Sequence, residues 1–122
     1  MDALRSRSGK TALMVAAFGA VYTPMAQGLD PETAATSMAQ WVFDNKMDGV
    51  DIDHEEGSYY QKTASDPQYY SQASEWLCKL TTKLRDIFDQ HVDPPCKKLG
   101  GPSRYVIYVS YTHLTLPTIC SV

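Results

Sequence analysis

Three strand-like runs alternate with two helix-patterned segments, and that alternation most restricts the folds open to this chain. Residues 12–18 are apolar throughout and are closed by Gly19. Continuous rather than alternating apolar character predicts a strand buried on both faces, as in parallel sheets. After a loop through Pro24 and Gly28, Asp30-Pro31 marks a helix start, with Asp as N-cap, Pro at the first helical position and Glu32 near the positive helix end. Ala34, Met38, Trp41 and Val42 recur at helical spacing and predict a core-facing stripe. That helix should end near Asn45, because Asp48-Gly49 is turn chemistry. Gly49 to Asp53 is the second strand, and the polar, aromatic stretch 56–65 is a loop. Asp66-Pro67 repeats the helix-start device, and Ala73, Trp76, Leu77, Leu80, Leu84, Ile87 and Phe88 form an amphipathic stripe with Lys79, Lys83 and Arg85 off it. Pro94-Pro95 and Gly100-Gly101-Pro102 break the chain before a third β-like run at 105–109. Trp41 and Trp76 are both assigned to the core on their helical faces.

Strand, helix, strand, helix, strand implies an α/β fold with parallel strands and right-handed crossovers. At 122 residues the chain holds one domain at most. A closed (β/α)8 barrel needs eight strands and about 250 residues, so the unit reads as part of something larger. With 43% hydrophobic and 20% charged residues the composition is that of a globular chain, not a disordered one. The net charge of −3 argues against nucleic acid as partner, and Arg5, Arg7 and Lys10 read as a solvated end. No stretch is long enough for a membrane span, and no signal peptide is expected. Cys78, Cys96 and Cys120 are odd in number and lack CxxC spacing, so they define neither a disulfide framework nor a zinc site.

Asp51, Asp53 and Glu55 stand two apart. On a strand such residues share a face, and Asp and Glu are poor strand formers. Like charges at this spacing repel, so at least one group is expected to hold a proton near neutral pH. The arrangement suits a general acid beside an ionised or hydrogen-bonded partner, at the strand end where such folds carry their chemistry. The plain alternative is a solvated acidic turn.

An EF-hand loop fails at its strictest positions, where Glu56 stands for the obligatory Gly and Lys62 for the bidentate Glu. A Mg²⁺ or Mn²⁺ site built from these carboxylates remains an alternative. Gly9-Lys10-Thr11 lacks the first glycine of a phosphate loop, Leu4 standing there, and the strand follows it instead of preceding it. Tyr59 and Tyr60 lie just beyond Glu55 and are candidates to stack on a sugar ring, with ordinary loop aromatics as the other reading; Tyr69 and Tyr70 share that character.

The string Asp48-Gly49-x-Asp51-x-Asp53-x-Glu55 resembles the DGxDxDxE signature of family 18 glycoside hydrolases, the chitinases and endo-β-N-acetylglucosaminidases. Ala16-Ala17-Phe18-Gly19 falls where that family has an SxGG-like motif, and the resemblance, closest to fungal members, covers about residues 10–109. It implies an α/β fold made of an incomplete (β/α)8 TIM barrel, about strands 3 to 5, with residues 1–109 as a partial catalytic domain. It implies a secreted parent hydrolysing β-1,4-linked N-acetylglucosamine polymers without a cofactor or metal, through a substrate-assisted retaining mechanism. Glu55 would protonate the glycosidic oxygen, Asp53 would orient the acetamide and stabilise the oxazolinium, and Asp51 would hydrogen-bond Asp53. Asp48 and Gly49 would support the motif. The non-enzymatic alternative is a chitin-binding lectin of the same fold; such members usually lose the acid, which Glu55 retains.

The chain also departs from the pattern. His54 stands where many members have Trp or Tyr, and its position in the alternation turns it away from the carboxylates to pack behind the strand. Ala16 and Phe18 replace the Ser and first Gly of the SxGG pattern. Residues 110–122 do not resemble the family and are expected to be a non-native tail. The isolated chain is therefore expected to be inactive.

Overall fold

The computed structural model describes residues 11–19, 21–55, 67–91 and 93–110. Its elements run β1 (Met14–Phe18), α1 (Pro31–Asp44), β2 (Gly49–Asp53), α2 (Pro67–Gln90), a 3₁₀ turn (Pro95–Leu99) and β3 (Val106–Ser110). The strands form one sheet in the order β1-β2-β3, parallel throughout. The expected mixed α/β architecture with a parallel sheet is therefore present, as a unit of three strands and two helices.

Local chemistry sets the helix bounds. Asp30 is in extended conformation, and its Oδ2 accepts from the Thr33 amide and hydroxyl, both at 2.8 Å, ahead of Pro31. At the other end the Asn45 side-chain amide donates to Trp41 O (2.9 Å). Lys46 then takes φ 52°, while Lys46 N donates to Phe43 O and Met47 N to Val42 O. This is a Schellman stop with lysine in the left-handed position that glycine usually fills.

Both helices lie on one face of the sheet. Ala34, Ala35, Ala39 and Val42 of α1 and Trp76, Leu77, Leu80, Leu84 and Phe88 of α2 close over Val50 and Ile52 of the central strand, with Val15, Ala17, Ile107 and Val109 at the margins. Trp76 Nε1 donates to Leu29 O (2.8 Å), tying the loop before α1 to α2, and Arg85 Nη2 donates to Tyr105 O (2.7 Å), tying α2 to the start of β3.

Two expectations fail here. β1 is not buried on both faces: Met14 and Ala16 are exposed, because the helices cover only the Val15 and Ala17 side. Trp41 is not core. At 45% exposed it lies outside the stripe that α1 presents to α2 and the sheet, which runs through Ala34, Ala35, Met38, Ala39 and Val42. No helix among the described residues is long and apolar enough to cross a membrane.

Candidate active site

The site is built on β2. As the middle strand it is hydrogen-bonded on both sides, so its alternation is fixed by two neighbours. Val50 and Ile52 turn to the helices and are fully buried. Asp51 and Asp53 turn to the opposite, open face, in register with Ala16 and Tyr108 and with Phe18 and Ser110 respectively. Both aspartates are half-buried. Asp51 Oδ1 is shielded from solvent with no hydrogen-bond partner among the described residues, and Asp53 Oδ1 is equally shielded.

Glu55 lies beyond the strand. β2 ends at Asp53, whose carbonyl accepts from Gly19 N (2.7 Å) and from Glu55 N (3.1 Å). The three carboxylates are therefore not a continuous strand-face row as the two-residue spacing suggests: two stand on the strand, and the third is set by the turn that closes it. Glu55 is half-buried. His54, between the aspartates' end and Glu55, sits on the helix side as its place in the alternation requires. It is 2% exposed, with its ring 5.0 Å from Trp76 and 5.8 Å from Phe18.

Phe18 ends β1 with φ 80° and Gly19 follows with φ 89°, so two consecutive residues occupy the left-handed region. A bulky residue there is a backbone outlier. The Phe18 ring packs edge-on against Trp76 (5.6 Å) and lies parallel to Tyr22 (5.9 Å), contacts that hold the conformation in place.

The other end of β2 has a different task. Asp48 is fully buried; its Oδ1 accepts from Cys96 N (2.7 Å) and its Oδ2 from Leu13 N (2.8 Å). Its own N–H donates to Leu13 O and its carbonyl accepts from Val106 N. One residue thus fastens the entries of β1 and β3 and the 3₁₀ turn. Gly49 is not the turn glycine that Asp48-Gly49 suggested. It is the first residue of β2 in ordinary conformation, and a Cβ there would collide with the Val106 carbonyl. The positive φ of that connection belongs to Lys46.

No three His, Cys, Asp or Glu among the described residues are arranged to hold a metal ion, Asp51, Asp53 and Glu55 included. Cys96 is buried, with its Sγ donating to Thr11 O (3.3 Å). Tyr59 and Tyr60 lie outside the described residues, as do the side chains of Tyr69 and Tyr70 and all of residues 111–122. Sequence reasoning missed Tyr108, which is 56% exposed on the open face beside Asp51. The signal was available, since Tyr108 shares the alternation phase opposite to the apolar Ile107 and Val109. No protein-family model matches the chain, and neither does any curated protein or solved structure.

Proposed function

We propose that β2 is the acid-bearing strand of a family 18-type glycoside hydrolase whose substrate is a β-1,4-linked N-acetylglucosamine polymer. The observation that carries this reading is the split of β2 into a helix-covered apolar face and an open face bearing Asp51 and Asp53, with Glu55 at the carboxyl end of the strand. Parallel α/β folds carry their chemistry at the carboxyl ends of their strands. Further support comes from Phe18 and Gly19. The motif position at which the resemblance expects glycine has a left-handed backbone, so the strand end has the glycine-like shape even where the residue is Phe.

In this reading the helices form the outer layer of a (β/α)8 barrel and the open face belongs to its interior, with the three strands as about the third to fifth. Glu55 donates its proton to the glycosidic oxygen as the bond to C1 breaks, and the carbonyl oxygen of the substrate's own acetamide bonds to C1 from the other side. Asp53 holds the acetamide N–H and balances the charge of the oxazolinium, and Asp51 stands beside it. Water then opens the oxazolinium, with Glu55 taking up its proton, and the anomeric configuration is retained.

The test is the full coding sequence from which this chain derives, assayed on a fluorogenic chitobioside with and without Glu55→Gln. Turnover that Glu55→Gln lowers by at least about a hundredfold supports the reading. Turnover indifferent to Glu55 overturns the acid assignment, and binding to chitin beads without any turnover favours the lectin. The 122-residue chain alone is expected to show none.

A further inference from the structure

Phe18 is out of phase with its own strand. Val15 and Ala17 pack on the helix side, so regular alternation would stand Phe18 with Ala16 on the open face, next to Asp53 in the register. At φ 80° its ring instead reaches the helix side, 5.6 Å from Trp76 and 5.8 Å from His54. The His54 ring lies 5.0 Å from the same indole. One side chain of α2 thus packs against both aromatic residues at the exit of β1 and β2.

Those two residues lead into the backbone that sets Glu55. Gly19, directly after Phe18, and Glu55, directly after His54, both donate their N–H to Asp53 O, at 2.7 and 3.1 Å. The acid's amide and the end of β1 meet on one carbonyl, with an aromatic ring from each segment seated on Trp76. Trp76 is itself fixed, being 8% exposed with its Nε1 donating to Leu29 O at 2.8 Å. An indole has a flat face and a single donor, so the bond to Leu29 sets the face that the two rings meet. We infer that Trp76 is a positioning residue for Glu55, holding its turn through His54 and Phe18. The same packing keeps the Phe18 ring off the open face, where it would stand beside Asp53. The inference rests on the glycosidase reading for the role of Glu55 and adds to it a residue of α2 outside the signature.

The test uses the product of the full coding sequence, with chitobioside kinetics and amide hydrogen exchange read side by side. Trp76→Leu, which keeps apolar bulk and removes the indole, should lower kcat at least about tenfold and leave KM within about twofold. Trp76→Phe, which restores a ring against Phe18 and His54, should recover kcat to within about threefold of wild type. Leu80→Ala, a fully buried residue one turn further along α2, is the core control; it should lower the melting temperature and leave kcat unchanged. Exchange at Gly19 and Glu55 should quicken at least about tenfold in Trp76→Leu, beyond any change at Val50 and Ile52. Wild-type kcat in Trp76→Leu overturns the inference, as does a fall that Leu80→Ala reproduces or that Trp76→Phe does not relieve. Turnover that ignores Glu55→Gln, or no turnover at all, removes the glycosidase reading and leaves the exchange to decide. Quickening confined to Gly19 and Glu55 then keeps Trp76 as the residue that holds the turn, and uniform or unchanged exchange overturns it.

Discussion

Asp48 immediately before β2 and Asp51 at its middle do opposite things. At its entry, Asp48 is enclosed and both carboxylate oxygens are taken by backbone amides from distant segments. At the middle, Asp51 stands half-buried on an open face with one oxygen shielded and unmatched among the described residues. The residue type is the same and the separation is three positions, so what differs is the supply of donors. A carboxylate whose lone pairs are filled by the fold holds the fold together; one with a shielded oxygen left unmatched adds little to its stability.

The largest effect should therefore come from the entry end. Asp48→Ala leaves the Leu13 and Cys96 amides without acceptors in the interior and should cost about 4 kcal/mol in urea unfolding. Asp48→Asn keeps the shape but turns an NH₂ donor toward one of those amides, for a loss of about 2 kcal/mol. Gly49→Ala should cost about 3 kcal/mol, because the added methyl meets Val106 backbone that cannot swing aside. Losses below about 1 kcal/mol in all three would break the comparison by showing that the entry end is not a fastening.

Phe18 sharpens it next. Removing the ring abolishes its packing on Trp76, His54 and Tyr22 in any small variant. However, Phe18→Ala retains a Cβ at φ 80°, whereas Phe18→Gly does not. The glycine variant should be the more stable of the two by about 1 kcal/mol, the reverse of the usual order within a strand. Equal stabilities would mean that the left-handed conformation is released when the ring goes.

Some of this was legible in the chain and some was not, for definite physical reasons. The bounds of β2, the Asp30 cap and the end of α1 near Asn45 follow from local chemistry and came out as read. β1 starts two residues later than its apolar run, and β3 lies one residue further on than its β-like run. His54 behind the strand needed only the two-residue period. Asp48 as a fastening was not legible, because its donors lie 35 and 48 residues away and backbone amides carry no sequence signature. Gly49 opens β2 as its sequence position indicates, but Asp-Gly turn chemistry carries no sign that the close approach of β3 is what requires the glycine. Trp41 fits a helical stripe by spacing, but only the partner helix decides how wide that stripe is.

A third aspartate separates donor supply from burial. Asp30 receives the Thr33 amide and hydroxyl much as Asp48 receives its amides, but on the surface. The Thr33 amide, with its hydroxyl, holds the Asp30 carboxyl below its ordinary value of 3.8. A lowered folded-state pKa stabilises above the unfolded value and is lost as the pH falls through the folded one. Wild type should melt above Asp30→Ala at neutral pH, and the gap should close as the pH is taken below 3.8. A gap that persists in acid would assign the cap to the hydroxyl and the backbone rather than to the charge.

The smallest effect belongs to Asp51 and tests the comparison most directly. Asp51→Asn removes a negative charge beside Asp53 and breaks no hydrogen bond at Oδ1. Relief of like-charge repulsion then acts against only the loss of carboxylate solvation on a half-open face. The expected change in unfolding free energy is within about 0.5 kcal/mol of zero, on the stabilising side, against the loss of about 2 kcal/mol for the same chemical change at Asp48. Residues kept for binding are commonly neutral or costly to the fold that carries them, and a destabilised Asp51→Asn would place this carboxylate with Asp48 among the fastenings.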